Sequence, residues 1–314
     1  MCTAISFLSK DHYFGRNLDL EYSYEEMITI TPRDFPLHFR SKSPLTHHYA
    51  LIGVAYIQKN YPLYYEATNE KGLSMAGLHF PEYADYKPFH SSKDNIAPFE
   101  FIPWILGQCS CVDEARPLLE NINLWNENFS DELSLTPLHW MLSDSRTSLV
   151  IECTKTGLQI YKNQTYVMTN APTFDVHLKN LKNHHSLQDN YCTFSDSSIS
   201  FAVPGDWSSQ SRFLRAVHVL KHSTHPSSEC ERVSQFFHIL GAIEQPKGCN
   251  PKGENLYKYT IYSSCCNASR GIYYYKTYDN HQITAIDMNR ENLDTKYLIS
   301  YPMIKDCLVR IQNR

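Results

Sequence analysis

Short runs of apolar residues separated by polar turns dominate both ends and the middle of the 314-residue chain. Runs that are rich in β-branched and aromatic residues predict β-strands. These runs lie at 3–8, 13–20, 27–31, 138–142, 148–153, 158–161, 166–169, 257–263, 271–278 and 282–288. Their short, hairpin-like spacing favours antiparallel pairing.

Apolar residues at helical spacing predict helices between these groups of strands. The predicted helices cover 99–122, 173–181, 208–222 and 231–243. Thr173 is a candidate N-cap for the second helix, and Asp206, Ser208 or Ser209 for the third. The polar, serine-rich stretch 184–203 is predicted to be a long loop. No linker and no repeat divides the chain, so we expect one layered α+β domain with helices on stacked antiparallel sheets.

The composition narrows the class of protein. Hydrophobic residues make up 42% and charged residues 20% of the chain, which is typical of a globular protein. The net charge of −4 disfavours a basic nucleic-acid binder. The sequence has no apolar run of roughly 18–20 residues and no signal-peptide pattern. We therefore expect a cytoplasmic protein without a membrane span, whose ten cysteines are reduced.

Cys2 is the residue with the most informative chemistry. Removal of the initiator methionine, which is common before a small residue, would place a thiol and a free α-amine on one residue. An α-amine titrates near neutrality, so it can accept the thiol proton directly or through a water molecule. A cysteine at position 2 also occurs by chance, and the position alone is a weak signal.

A second segment strengthens the signal from Cys2. Residues 13–19 read YFGRNLD, a predicted strand from which Arg16 and Asp19 could reach a partner strand that begins at Cys2. An aspartate can hold an α-amine by a charge-assisted hydrogen bond, and a nearby arginine favours the thiolate. The alternative is a surface Arg–Asp pair near a turn, and spacing alone leaves both interpretations open.

Other catalytic and metal motifs are not supported. Residues 72–77 read GLSMAG, in which the second glycine comes too late for a nucleophile elbow. No phosphate-binding or dinucleotide-binding glycine motif follows a predicted strand. His218 and His222 have a spacing that can hold a metal, but no HExxH or C-x2-C motif accompanies them, so a solvated helix face is the favoured interpretation. We expect no metal site.

Six segments occur in an order that is typical of one family. They read MCT (1–3), FGRNLDLE (14–21), NEKGLSMAGLHFP (69–81), TNAPTFD (169–175), PGDWSSQSRF (204–213) and GIYYY (271–275). From Cys2 to about Asp294 the chain resembles the choloylglycine hydrolase family, which comprises bile salt hydrolases and penicillin V acylases. The resemblance leans towards bile salt hydrolases. It implies an N-terminal-nucleophile hydrolase with a four-layer αββα sandwich, and a homotetramer.

The resemblance implies roles for individual residues. Cys2 matches the nucleophile, which loss of the initiator methionine exposes. Asp19 matches the residue that hydrogen-bonds the Cys2 amine, and Arg16 matches the arginine beside the sulfur. Asn170 matches an oxyanion-hole donor. Arg212 matches an arginine near the nucleophile, on the helix after the Pro-Gly-Asp turn.

Two positions depart from the family pattern, and three more match its acyl pocket. His79 stands where bile salt hydrolases usually carry Asn and penicillin V acylases Tyr. Because a histidine can donate one N–H when neutral and two when charged, we expect a changed role for His79 and an activity that depends on pH at about 6–7. Residues 196–204 lack the glycines that commonly precede Pro-Gly-Asp, so we expect a differently shaped loop. The matching positions of the apolar acyl pocket hold Leu18, Phe129 and Leu133.

The resemblance implies an amidase for glycine- or taurine-conjugated bile acids that works through a thioester and needs no metal or organic cofactor. Its partner would be a small-molecule amide. An apolar pocket also suits phenoxyacetyl or fatty acyl groups, so a penicillin V acylase or another acyl-amide hydrolase is an alternative. The departures at His79 and 196–203 motivate a third hypothesis, a catalytically silent ligand-binding relative.

Overall fold

Strands and helices alternate along residues 1–184 and 203–313, the part of the chain that the computed structural model describes. In chain order the strands are β1 (Cys2–Leu8), β2 (His12–Leu20), β3 (Met27–Thr31), β4 (Leu51–Gln58), β5 (Tyr61–Asn69), β6 (Ser74–His79), β7 (Asp94–Ile96), β8 (Ile122–Leu124), β9 (Leu138–Ser143), β10 (Ser148–Thr154), β11 (Gly157–Lys162), β12 (Val167–Met168), β13 (Pro251–Gly253), β14 (Leu256–Tyr257), β15 (Tyr259–Asn267), β16 (Ile272–Thr277), β17 (Thr284–Asp287) and β18 (Ile299–Pro302). The helices are α1 (Phe101–Gln108), α2 (Val112–Asn121), α3 (Phe174–Asn183), α4 (Ser209–Lys221) and α5 (Glu229–Gly241).

Two large antiparallel sheets lie at the centre of the fold. Within the described residues, one sheet has the strand order β12-β1-β2-β15-β16-β17 and the other β11-β10-β9-β6-β5-β4-β3-β18. The sheets contact each other through β1, β2 and β6. Helices α4 and α5 cover the outer face of the first sheet, and α1 covers that of the second. The predicted α+β class with a four-layer αββα sandwich is therefore confirmed.

The two faces of β2 have different partners. Alternate side chains of a strand point to opposite faces of a sheet. Arg16 lies on the face towards the second sheet, because its guanidinium donates to the carbonyl of Gly77 in β6. Asn17 lies on the other face and donates to the carbonyl of Leu240 in α5. Both faces of the strand are thus buried, and each presents polar groups to a different layer.

The pairing of β1 with β2 brings Cys2 next to the FGRNLD segment, as predicted. Cys2 lies opposite Leu18, and Ala4 lies opposite Arg16. Directly opposed residues of antiparallel strands project to the same face. Cys2, Arg16 and Leu18 therefore share the face between the two sheets, whereas Asp19 projects towards the helices.

The prediction omits three central strands of the second sheet, β4, β5 and β6. Strand β4 reads LIGVAYIQ, a nearly continuous apolar run whose first five residues are buried. A strand that is covered on both faces has no polar alternation, so periodicity alone does not separate it from a buried helical segment. The strands that the sequence does predict are present, and their ends differ from the prediction by a few residues.

The single helix predicted over 99–122 is wrong, because the chain there forms α1 and α2 with a break at Cys109. Cys109 has an extended backbone with φ −108° and ψ 134°. The side chain of Asn69 donates to the carbonyls of Leu106 (2.8 Å) and Cys109 (2.7 Å). These bonds satisfy carbonyls that a longer helix would have used, so α1 ends here.

The starts of the remaining helices agree with the predicted caps only in part. Ser208 caps α4, since its hydroxyl accepts from the N–H of Ser211. Thr173 occupies the cap position of α3, but Glu152 accepts the first N–H of that helix. Helix α5 begins two residues before its predicted start.

Most of the loop predicted at 184–203, including residues 196–202 of the altered segment, lies outside the described residues. Among the described residues, no helix combines the length and the apolar character that crossing a bilayer requires.

Candidate active site

The N-terminus is enclosed where β1 begins. Cys2 is 2% exposed. With Met1 in place, the Met1 amine donates to the carbonyl of Asp19 at 2.7 Å, and the Cys2 N–H donates to Oδ1 of Asn170 at 2.6 Å. Burial lowers the pKa of the Met1 amine to about 6, against the charges of Cys2 and Asp19. In the unprocessed chain the free amine therefore belongs to Met1. The Cys2 nitrogen, which would serve as the base after processing, is still an amide.

Asn170 connects three parts of the fold. It follows β12, which pairs with β1 and so brings Asn170 back to Cys2. Its Oδ1 accepts from Cys2 and from Nη2 of Arg212 (2.9 Å), and its Nδ2 donates to the carbonyl of His79 (2.7 Å). An amide nitrogen carries two hydrogens, so the second N–H is available to a substrate oxygen.

Arg212 anchors the N-terminal strand to helix α4. Its Nη1 donates to the carbonyl of Cys2 (2.6 Å) and to the hydroxyl of Thr3 (2.7 Å), and its Nε donates to the carbonyl of Trp207 (3.1 Å). Burial lowers the pKa of Arg212 from its ordinary value, although the charges of Asp19 and Cys2 oppose this. The side chain is fully buried, so its positive charge acts in a region that excludes water.

Arg16 approaches Cys2 from between the sheets. Its Nη1 donates to the carbonyls of Gly77 (2.7 Å) and Tyr65 (3.0 Å). Burial would lower its pKa, but the Cys2 thiol, Tyr262 and Glu66 raise it above its ordinary value. Among the described residues Nε has no hydrogen-bond partner. A buried donor without a partner is available to an anion at the sulfur.

Asp19 lies on the helix side of the sheet, and its carboxylate is held by two residues that the sequence analysis missed. Oδ1 accepts from the hydroxyl of Thr260 (2.6 Å), and Oδ2 accepts from Nε2 of Gln245 (2.5 Å). In the chain with Met1, only the backbone carbonyl of Asp19 contacts the terminal amine. A hydrogen bond from the Cys2 amine to the carboxylate of Asp19 stays a prediction for the processed chain.

His79 ends β6, and the structure brings it to the site through its backbone. Its carbonyl accepts from Asn170. Burial, together with the charges of Lys258 and the N-terminus, lowers the pKa of the half-buried ring to about 4. The ring is therefore neutral at pH 6–7, so the expected pH dependence in that range is not supported.

The three predicted pocket residues occupy two places. Leu18 is buried directly opposite Cys2. Phe129 lies in the loop between β8 and β9, where its ring packs edge-on against Phe99, with ring centres 5.2 Å apart, and its carbonyl accepts from Arg40. Leu133 closes the same loop through hydrogen bonds with Ser130. The structure thus places Leu18 at Cys2, and the other two residues in one anchored loop.

Glu66 is a further site residue that the sequence analysis missed. It lies in β5, one of the omitted strands, and its carboxylate is 3.7 Å from the guanidinium of Arg16. Arg16 is in the first sheet and Glu66 is in the second, so the stacking of the two sheets brings the two residues together, and the sequence contains no local signal for that contact. Among the described residues, no group of three or more His, Cys, Asp or Glu side chains could hold a metal ion.

Two stacked antiparallel sheets between helical layers, with a cysteine at the start of the first strand, define the N-terminal-nucleophile hydrolase type of fold. A sequence model described as linear amide C–N hydrolases, choloylglycine hydrolase family, matches residues 2–301. The chain belongs to the choloylglycine hydrolase family, and it is a hydrolase of non-peptide amide C–N bonds.

Named relatives agree with this assignment. The chain is 50% identical to a bile salt hydrolase/transferase of Lactiplantibacillus plantarum, over 96% of this chain and 97% of that protein. It is 38% identical to a bile salt hydrolase/transferase of Clostridium perfringens, over 96% of both chains. A solved mutant of the conjugated bile acid hydrolase from Clostridium perfringens superposes with a TM-score of 0.89 at 36% identity, over 100% of both chains.

A penicillin V acylase from Agrobacterium tumefaciens shares the fold. It superposes with a TM-score of 0.78 at 19% identity, over 96% of this chain and 91% of that chain.

Proposed function

We propose that the protein hydrolyses the amide bond of glycine- or taurine-conjugated bile acids, with Cys2 as the nucleophile after Met1 is removed. The observation that carries the proposal is the contact of the Cys2 nitrogen with Asn170, which Arg212 also binds. Relatives named bile salt hydrolase/transferase and covered over nearly their whole length support the substrate class.

The first half of the reaction forms a thioester. The freed α-amine of Cys2 accepts the thiol proton, and the thiolate attacks the amide carbonyl carbon. The resulting oxyanion accepts the second N–H of Asn170 together with a backbone N–H. The tetrahedral intermediate expels the amine nitrogen, which takes its proton from the Cys2 ammonium and leaves as glycine or taurine.

The second half releases the bile acid. The Cys2 amine, again neutral, accepts a proton from water, and the hydroxide attacks the thioester carbonyl. The intermediate collapses with cleavage of the C–S bond, the thiolate takes the proton back from the Cys2 ammonium, and the carboxylic acid leaves. Arg16 favours the thiolate through its charge, and Arg212 holds the backbone of Cys2.

The acyl half of the substrate would contact apolar side chains. Leu18 lies opposite Cys2, and the anchored loop carries Phe129 and Leu133. A steroid nucleus suits such a surface. By family resemblance we also propose a single domain from residue 2 onward, a homotetramer and a cytoplasmic location, and the molar mass of the purified protein in solution checks the oligomer.

The decisive experiment uses protein whose loss of Met1 is confirmed by intact mass. Incubation with glycocholate and taurocholate should release the amino acid, and Cys2→Ser should abolish that release. A chain that retains Met1 should be inactive, because its Cys2 nitrogen is an amide and not a base. No release by the processed protein, or full activity with Met1 in place, would disprove the mechanism.

A substrate comparison tests the acyl preference. The same processed protein is given penicillin V and glycocholate side by side. Faster turnover of penicillin V would show that the preferred substrate is an aryl-acyl amide and not a conjugated bile acid. The proposed chemistry at Cys2 would stay unchanged. Binding without turnover of either substrate would favour a silent ligand-binding relative.

A further inference from the structure

Glu66 forms an ion pair with Arg16 between the two sheets. Its Oε2 lies 3.7 Å from Nη1 of Arg16, and the side chains of both residues are buried. A buried charge without a partner is strongly unfavourable, so each of these groups depends on the other.

Three hydroxyl groups surround the carboxylate of Glu66. Tyr273 (2.6 Å) and Ser264 (3.2 Å) donate to Oε1, and Tyr262 (2.8 Å) donates to Oε2. Burial raises the pKa of Glu66, whereas Arg16 and these hydroxyls oppose the rise. Hydrogen bonds to a carboxylate favour its ionised form. The three hydroxyls also fix the carboxylate in position, because each comes from a strand of the first sheet.

The charged and titratable groups around Cys2 come from several elements. They are the N-terminal amine with Asp19, Lys258 and His79 near it, Arg16 of β2 and Arg212 of α4, with Tyr65, Glu66 and Tyr262 around Arg16, and Cys266 and Tyr273 around Glu66. Arg16 is the group that connects the two sets. A change at Glu66 therefore reaches the sulfur through Arg16.

We propose that Glu66 is a positioning residue that holds Arg16 and limits the fraction of Cys2 present as thiolate. The inference rests on the proposed role of Cys2 as nucleophile. The carboxylate of Glu66 partly neutralises the guanidinium that favours the thiolate, and it keeps Nη1 on the carbonyls of Gly77 and Tyr65. Without that carboxylate, the full charge of Arg16 acts on the sulfur.

The test measures the alkylation rate of Cys2 as a function of pH in processed enzyme. The mass of the N-terminal peptide is measured because it reports modification at Cys2 alone, whereas the exposed cysteines Cys230, Cys249 and Cys307 would react as well. Glu66→Gln removes one negative charge and should move the midpoint of the profile to lower pH by about 0.5–1 unit. Glu66→Asp retains the charge and should restore most of the original midpoint.

Glu152→Gln is the matched control. Glu152 is equally buried, and it accepts from the N–H of Phe174 and pairs with His139. The Glu152→Gln variant therefore loses the same charge and a comparable set of buried contacts at a place away from Arg16. The midpoint of the profile should stay unchanged in this variant, which separates a charge effect on Cys2 from general loss of stability.

An unchanged or raised midpoint in Glu66→Gln would overturn the proposal. If that variant does not fold, Tyr273→Phe removes one donor to Glu66 and should give a smaller shift in the same direction; no shift there overturns the proposal equally. Alkylation needs no substrate, so a shifted midpoint together with absent bile salt hydrolysis would refute the proposed substrate and leave the role of Glu66 intact.

Discussion

Asn170 shows how one side chain organises the site at the residue scale. It accepts from Cys2 and Arg212 and donates to the carbonyl of His79, so the N-terminal strand, helix α4 and strand β6 meet at one amide. A preorganised donor contributes most where it is aimed at charge that develops in the transition state. The three contacts hold Asn170 in place before a substrate arrives.

Replacing Asn170 should therefore affect turnover more than stability. We expect Asn170→Ala to lower kcat on glycocholate by about 10²–10³-fold. Asn163→Ala is the matched control, because Asn163 is also buried and its Nδ2 donates to the carbonyl of Val167. Equal losses of kcat per folded molecule in both variants would argue against an oxyanion role.

His79 gives a prediction about pH. Burial lowers its pKa to about 4, so the ring is neutral above about pH 5.5. The profile of kcat/KM between pH 5.5 and 8 should have the same shape for the wild type and for His79→Asn, whatever their absolute rates. A bend at pH 6–7 that only the wild type shows would refute this.

At the element scale, a side chain ends helix α1. Asn69 donates to the carbonyls of Leu106 and Cys109 and accepts from the N–H groups of Lys71 and Leu73. One buried amide thus completes both a helix end and the turn after β5. The strand and the helix cannot form these ends independently of each other.

Substituting Asn69 should be costly. Asn69→Ala leaves buried carbonyl and N–H groups without partners and should lower the free energy of unfolding by about 2–4 kcal/mol. Asn69→Asp keeps the acceptor oxygen and loses the donors, so it should lose a different and partial set of bonds. Urea unfolding of the three proteins measures the difference, and a loss below about 1 kcal/mol in Asn69→Ala would contradict the structural role.

At the scale of the whole molecule, buried neutral histidines predict sensitivity to acid. Burial lowers the pKa values of His12 and His177 to about 4 from an ordinary value of 6.5. Above pH 6.5 both rings are neutral in the folded and unfolded chain. Between pH 6.5 and 4 only the unfolded chain binds these protons, so stability falls as the pH falls, by up to about 1.4 kcal/mol per pH unit for each ring.

Urea unfolding of the wild type at pH 7, 6 and 5 should show this decrease. His12→Gln removes one of the two rings, so its free energy of unfolding should depend less steeply on pH than that of the wild type. The difference between the two slopes isolates the histidine from carboxylates that titrate nearby. Parallel slopes would show that the proton uptake has another source.

The accuracy of the sequence-based prediction follows from how local each signal is. Strands that are short, β-prone runs between polar turns, such as β1 to β3, were predicted to within two residues. Strand β4, which is covered on both faces, was missed. The pairing of the strand that begins at Cys2 with the strand that carries Arg16 and Asp19 was predicted, because a hairpin brings together residues that are close in sequence. Thr260, Gln245 and Glu66 approach the site from distant strands and loops, so no local pattern indicates them.

The sequence by itself determined the alternation of strands and helices, the family membership and the identity of the candidate nucleophile, because these depend on local periodicity and on short motifs. Only the tertiary structure decided that Glu66 faces Arg16, that Asn69 ends α1, and that the ring of His79 stays neutral near pH 7. The physical reason is burial: charge balance, hydrogen-bond satisfaction and pKa depend on which distant residues exclude water from one another.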